Sequence, residues 1–102
     1  MARLVKVCKA SDIDEGGSTV VDVEGEQILL LKHAGRFYAV SNICTHDYAE
    51  LSNGLLMEGT ITCPVHLSRF RLDTGEVLNP PAEKPLKAYR VVLEGDSLYV
   101  EV

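Results

Sequence analysis

The segment Cys44–His66 reads CTHDYAELSNGLLMEGTITCPVH; it opens with Cys-x-His and closes with Cys-x-x-His. Sixteen residues, 47–62, separate the two motifs, and within them SNG at 52–54 and MEG at 57–59 have the composition of turns. The chain of 102 residues has only three cysteines and three histidines, and the two motifs contain two of each. This concentration argues against chance and indicates a metal site.

The sequence on either side of this segment is typical of β-strands. Apolar and polar residues alternate with a period of two in three runs: RLVKVCK at 3–9, TVVDVE at 19–24 and SLYVEV at 97–102. No amphipathic helix of twelve or more residues is evident, and the best short candidate, SDIDEGG, breaks at Gly16. The pattern predicts a small antiparallel all-β domain with its Cys-His loops at one end.

Two hairpins are predicted within these strands. EQILLLKH and RFYAVS flank the dipeptide AG, which predicts a hairpin across His33 to Arg36. A second hairpin is predicted in KAYRVVLEGDSLYVEV, with its turn near Glu94 to Asp96.

Size and charge restrict the class of protein. A chain of 102 residues has the size of one domain, so we predict a single domain over 1–102. The net charge is -5 and the basic residues are scattered, which argues against nucleic-acid binding because that function needs a basic face. No apolar run is long enough to span a membrane, and the N-terminus lacks the apolar core of a secretory signal. We therefore expect a soluble, cytoplasmic protein, with a monomer as the default.

The two motifs allow three interpretations. They arise by chance, or they bind zinc, or they bind a two-iron, two-sulfide cluster of Rieske type. Zinc takes two thiolates and two imidazoles readily, but a zinc finger usually groups its two cysteines in one knuckle and its histidines on a helix. In a Rieske cluster one iron carries two thiolates and the other two imidazoles. Loops that each supply one cysteine and one histidine fit the third interpretation best.

The chain resembles a bacterial Rieske-type [2Fe-2S] ferredoxin, the electron-transfer component of multicomponent aromatic-ring-hydroxylating dioxygenases. CTHDYAELSNG resembles the first cluster loop of that family, GTITCPVHLSRFRLDTGEVLNPPA the second loop with the Pro-rich segment after it, and KPLKAYRVVLEGDSLYVEV the closing strands. The resemblance implies an all-β Rieske (ISP) domain, an antiparallel β sandwich with an inserted cluster-binding subdomain. It also implies cluster-binding loops at about 43–54, 62–71 and 78–85.

The resemblance further implies the ligands and the function. Cys44 and Cys63 would bind one iron, and His46 and His66 the other, of one [2Fe-2S] cluster per chain. The protein would carry single electrons from a flavin-containing ferredoxin reductase to a terminal oxygenase, without being an enzyme itself. An oxygenase needs a further mononuclear iron site, and only His33 remains for it.

The alternative function is that of the Rieske-type small subunit of an assimilatory nitrite reductase. Many such subunits lack some cluster ligands, and the presence of all four candidates here weakens this alternative.

Comparison with the high-potential Rieske proteins of respiratory complexes predicts a low reduction potential. Those proteins have an extra cysteine in each loop, where this chain has Ala49 and Val65, and a tyrosine where it has Phe70. Their serine is retained as Ser68. Because two of three features are missing, we expect a potential near the low end of the Rieske range of about -150 to +300 mV.

Leu67 stands where the family usually has glycine. A positive φ at this position would cost about 1–2 kcal/mol for leucine. An apolar residue beside a ligand would serve either as a docking contact or as a shield against water.

The remaining candidates are less specific. Asp47, Glu50 and Glu58 would form an acidic rim that steers a reductase, with solvated loops as the alternative. His33 is interpreted as a surface histidine and Cys8 as a small buried hydrophobic residue.

Overall fold

The computed structural model describes residues 3–44, 50–64, 67–79 and 84–102. Within these ranges the regular elements are ten β-strands and two short 3-10 turns, and all strand pairs are antiparallel. The strands are β1 (Leu4–Lys9), β2 (Ser18–Val23), β3 (Glu26–His33), β4 (Arg36–Ser41), β5 (Leu55–Met57), β6 (Thr60–Thr62), β7 (Arg69–Arg71), β8 (Ala88–Tyr89), β9 (Val91–Glu94) and β10 (Ser97–Glu101). The prediction of an all-β fold is confirmed.

The strands form three sheets. The outer sheet has the order β1-β10-β9, the central sheet β2-β3-β4-β8 and the small sheet β5-β6-β7. The small sheet is inserted in the chain between β4 and β8 of the central sheet, as expected for an inserted subdomain.

Both predicted hairpins are confirmed. His33 pairs with Arg36 around the dipeptide Ala34-Gly35, whose φ angles are 52° and 76°. Positive φ at both central residues is the geometry of a type I′ turn, which matches the twist of the flanking strands. The second hairpin pairs Glu94 with Ser97.

The central sheet is covered on both faces because β3 carries buried apolar side chains at four consecutive positions. Ile28 and Leu30 face the outer sheet, whereas Leu29 and Leu31 face the small sheet. Successive side chains of a strand point to opposite faces, so one strand contributes to two cores.

We call these two sets of buried residues the outer core and the cysteine core. The outer core consists of Ile13, Val23, Ile28, Leu30, Ala39, Tyr89, Leu98 and Val100. The cysteine core consists of Leu29, Leu31, Val40, Cys44, Leu51, Ile61, Cys63, Phe70, Leu72 and Leu86.

Two segments show structure that the sequence alone did not specify. SDIDEGG contributes only to a 3-10 turn at Ala10–Asp12, and the second 3-10 turn lies at Leu51–Asn53. Between the two Cys-His motifs, where the sequence indicated turns, the chain also forms the β5–β6 hairpin, with its turn at Glu58 and Gly59. No helix in the described part of the chain is long and apolar enough to cross a membrane.

Candidate metal centre

The structure brings Cys44 and Cys63 into one core. Cys44 follows the end of β4, Cys63 directly follows β6, and each is only 1% exposed. Both belong to the cysteine core, between the central and small sheets. His46 and His66 lie outside the described residues, and within the described ranges no group of three or more metal-ligating side chains converges.

Asn42 joins the segment before Cys44 to the segment at 50–52 by hydrogen bonds. Ile43 forms an isolated antiparallel bridge with Glu50, and the Leu51 N–H donates to the Asn42 carbonyl at 2.6 Å. The Asn42 side chain is fully buried; its Oδ1 accepts from the Ser52 N–H at 2.9 Å. These bonds hold the chain just before Cys44 against the chain at 50–52.

Asn42 also ties these segments to the central sheet. Its Nδ2 donates to Gln27 Oε1 at 3.0 Å, and its backbone N–H donates to the Gln27 carbonyl at 3.0 Å. The first loop is therefore anchored to β3, the strand that separates the two cores.

The second motif is closed by hydrogen bonds at Cys63 itself. The Cys63 N–H donates to the carbonyl of buried Ser68 at 2.7 Å, and the Leu67 N–H donates to the Cys63 carbonyl at 3.1 Å. A candidate ligand whose backbone is bonded on both sides has little freedom to move relative to its loop.

Asn79 links this second loop to the start of the third predicted loop. Its Nδ2 donates to the Leu67 carbonyl at 3.1 Å, and its Oδ1 accepts from the Arg69 N–H at 2.8 Å. The Leu78 N–H donates to the Arg69 carbonyl at 2.8 Å and so extends the contact. Pro80 and Pro81, in the Pro-rich segment of this third loop, lie outside the described residues.

Leu67 adopts the conformation that glycine favours. Its φ is 61°, so the backbone has the left-handed geometry and leucine carries the associated strain of about 1–2 kcal/mol. The residue is also 65% exposed.

The three residues of the predicted acidic rim are at different places in the chain. Glu58 lies in the turn of the β5–β6 hairpin, at the opposite end of β6 from Cys63. That turn approaches His33, since a Cβ on Gly59 would lie 3.9 Å from His33 Nε2. Glu50 is exposed beside the first loop, and Asp47 lies outside the described residues.

His33 and Cys8 are both remote from the two buried cysteines. His33 ends β3 beside the hairpin turn, whereas Cys44 follows β4 at the other end of the central sheet. Cys8 packs against the outer core as a small hydrophobic residue, as expected, but it is only partly buried. Burial, and then the Asp12 carboxylate, raise the pKa of the Cys8 thiol, which disfavours the thiolate that a metal requires.

Three residues that position the site were missed in the sequence. Asn42 and Asn79 are polar residues in segments with turn composition, and nothing in the chain order shows that they bridge distant backbone groups. Gly75 has a φ of 77°, and a Cβ there would lie 2.0 Å from the Leu86 carbonyl oxygen. The Gly-Glu dipeptide after Asp-Thr indicates a turn, but it does not indicate this close approach to another segment.

Taken together, three antiparallel sheets define the class as a small all-β domain, and its two cysteines buried in one core are candidate metal ligands. The family model for the Rieske [2Fe-2S] domain matches residues 3–90, and the chain belongs to that family. The family cofactor is one [2Fe-2S] cluster. Two buried thiols in one core suit the iron that takes two thiolates, so the described residues fit this cofactor.

Within the family, the chain is similar to ferredoxins of dioxygenase systems. The ferredoxin component of the naphthalene 1,2-dioxygenase system of Pseudomonas aeruginosa is 37% identical over 91 residues, which are 89% of this chain and 88% of that protein. The ferredoxin of carbazole 1,9a-dioxygenase from Nocardioides aromaticivorans IC177 superposes with a TM-score of 0.90 at 32% identity and covers 95% of both chains. The prediction of a Rieske-type ferredoxin is confirmed.

One solved structure also contains a partner. A chain in the complex of reduced oxygenase and oxidized ferredoxin of carbazole 1,9a-dioxygenase has a TM-score of 0.89 and 34% identity. The match covers 95% of this chain and 91% of that one.

Proposed function

We propose that this chain is the ferredoxin of an aromatic-ring-hydroxylating dioxygenase system. It carries single electrons from a flavoprotein reductase to a terminal oxygenase in the cytoplasm. Cys44 and Cys63 hold one iron of its cluster, and His46 and His66 hold the other. The observation that carries this proposal is the convergence of both cysteines in one buried core, each beginning a motif that ends in histidine.

The relatives support this function over the nitrite reductase alternative. The curated relative named above is a ferredoxin component, and a ferredoxin at 34% identity forms a complex with its oxygenase. The presence of all four candidate ligands also favours an electron carrier.

When bound, the cluster supplies a centre that accepts and releases one electron. The chain excludes water from the thiolate side by burying Cys44 and Cys63 beneath the small sheet. The backbone bonds at Cys63 and the Asn42 anchor hold both loops in place, so that little rearrangement accompanies a change of charge.

The composition of the cysteine core supports a low reduction potential. Phe70 is fully buried in the same core as both cysteines, and its ring has no hydroxyl to donate to a ligand sulfur. Hydrogen bonds to the sulfurs raise the potential of such clusters, so we expect a value near the low end of about -150 to +300 mV. A potential above about +100 mV would contradict this expectation.

The test begins with the iron and acid-labile sulfide content of the purified chain and with EPR of the dithionite-reduced protein. Equal iron and sulfide with a rhombic Rieske signal would support the proposed ligands, whereas a colourless protein with stoichiometric zinc would contradict them. Stopped-flow spectroscopy then follows reduction by a flavoprotein ferredoxin reductase and oxidation by a terminal oxygenase. A loaded protein that exchanges electrons with neither would refute the proposed function.

A further inference from the structure

Leu67 combines two features that do not stabilise its own chain. The left-handed backbone is unfavourable for a bulky residue, and the side chain is 65% exposed and gains little from burial. Glycine would avoid the strain at this position, so the benefit of leucine has to lie outside the fold.

The surrounding structure holds Leu67 in this conformation. Its N–H donates to the Cys63 carbonyl, and its carbonyl accepts from Asn79 Nδ2, both at 3.1 Å. Asn79 in turn accepts from the Arg69 N–H, so the residue is bonded to segments on both sides of its loop. Strained residues that persist because their surroundings fix them are concentrated at functional and binding sites.

Leu67 lies next to the candidate ligands, where an electron-transfer partner would approach. It follows His66 directly in sequence and is hydrogen bonded to the backbone of Cys63. A partner that exchanges electrons has to approach this end of the molecule. Of the other exposed large apolar residues, Leu4 and Leu93 lie on the outer sheet and Val20 on the central sheet. Leu55 and Met57 lie on β5 of the small sheet, and Leu78 lies beside Asn79, so further apolar side chains are exposed in the half of the molecule that contains Leu67.

We propose that Leu67 is an apolar contact that the terminal oxygenase buries on docking, and that it contributes to selectivity among oxygenases. This inference rests on the function proposed above. We assign the contact to the oxygenase because a family member at 34% identity has been solved in complex with one. Burying an exposed leucine against a partner contributes directly to affinity.

The experiment compares three variants in the cluster-loaded full chain. Leu67→Ala removes the side chain but keeps the strained backbone, and Leu67→Gly removes both the side chain and the strain. Leu93→Ala is the matched control, because Leu93 is 51% exposed on β9 of the outer sheet. The probes are the terminal oxygenases of the naphthalene 1,2- and carbazole 1,9a-dioxygenase systems and a flavoprotein ferredoxin reductase.

Both Leu67 variants should bind at least one of these oxygenases about tenfold more weakly, which corresponds to about 1.4 kcal/mol. The loss should differ between the two oxygenases, while reduction by the reductase stays within about twofold and the control resembles wild type. The potential and the EPR spectrum should be unchanged. Leu67→Gly should melt at or above the temperature of Leu67→Ala, because it relieves the strain.

Three results would overturn the inference. A slower reductase step with normal oxygenase binding would assign Leu67 to the reductase, and a shifted potential or faster cluster loss with normal docking would make it a shield. Equal losses in Leu93→Ala would show a nonspecific effect. A wild-type chain that transfers electrons to neither oxygenase in this panel would instead refute the proposed function, and the inference with it.

Discussion

The outer core and the cysteine core lie on opposite faces of one sheet but are built differently. The outer core is formed mainly by strands of five to eight residues, β2, β3, β4 and β10, with side chains that alternate between faces. The cysteine core is covered by three strands of three residues each, together with loops. Both cores share β3, so the difference lies in what covers each face.

The difference shows which interactions each half requires. Long antiparallel strands provide many backbone hydrogen bonds and a continuous apolar face. The outer core therefore depends mainly on the alternation of apolar and polar residues along its strands. Three-residue strands provide few such bonds. The small sheet therefore relies on buried Asn42, on the tight packing at Gly75 and on the proposed metal ligands.

Removal of a candidate ligand should affect the cysteine core far more than the outer core, and this is the largest effect expected. Cys63→Ala should lose its iron and the visible absorption of the cluster. Hydrogen exchange should then rise in β5 to β7 and stay near wild type in β9 and β10, because metal binding and local folding are coupled. Iron analysis and mass-spectrometric hydrogen exchange measure both effects.

The matched cysteine control is Cys8→Ala. It should keep full iron content, since Cys8 packs against the outer core. An iron-free Cys8→Ala protein, or an exchange profile of Cys63→Ala that changes equally in both sheets, would contradict the assignment.

Gly75→Ala should lower the free energy of unfolding by about 2–5 kcal/mol. This is the strain of alanine in a left-handed backbone plus the cost of a steric overlap with the Leu86 carbonyl. The control is Gly25→Ala, because Gly25 has a φ of 85° but open space around its Cβ position. It should cost only the backbone strain of about 1–2 kcal/mol. Urea denaturation gives both values, and equal losses would rule out the overlap as a cause.

Asn42→Ala should destabilise the protein by about 1–3 kcal/mol, because it leaves the Ser52 N–H without its side-chain acceptor. It should also accelerate iron loss to a chelator, since the first loop loses the side-chain hydrogen bond to Gln27 that helps to anchor it to β3. The control is exposed Asn53 in the neighbouring 3-10 turn, where alanine should change stability by less than about 0.5 kcal/mol. Wild-type iron retention in Asn42→Ala would contradict the anchoring role.

The smallest effect is expected at Glu15, on the hairpin side of the molecule. The Gly35 and Ala34 N–H groups donate to its carboxylate and hold its pKa below the usual range. A lowered folded pKa adds stability above the unfolded pKa, and this stability disappears as the pH falls through the folded value. Glu15→Gln should therefore melt below wild type at pH 7, with a gap that narrows below the ordinary glutamate pKa of about 4.3.

The control for this titration is Glu94→Gln, on the exposed turn side of β9. It removes an exposed carboxylate in the same way and measures the effect of the substitution alone. A gap between wild type and Glu15→Gln that stays constant from pH 7 down through the folded pKa, to about pH 2, would exclude the carboxylate charge as the cause.

The hairpins of the central and outer sheets could be predicted from the sequence for physical reasons. The β3–β4 hairpin and the β9–β10 hairpin combine long alternating strands with glycine-containing turns, and both are local signals. The cysteines could also be placed, since their motif spacing and the family resemblance are evident in the chain.

The small sheet and its supports could not be predicted in the same way. Strands of three residues are too short to show a period of two, so β5 to β7 were hidden among turns. Asn79 acts across 12 residues on Leu67, and Gly75 packs against Leu86, and neither contact has a local pattern. The sequence does not show whether Leu67 adopts a positive φ, and only the backbone geometry decides it.

The division of β3 between two cores has a consequence for which length changes the chain tolerates. Deleting or inserting one residue within Ile28 to Leu31 would turn the side chains that follow it to the wrong face and disrupt both halves of the protein at once. An extra residue in the exposed turn at Gly95 would leave this arrangement intact. Insertions and deletions among relatives should accordingly be absent from β3 and accumulate at such turns.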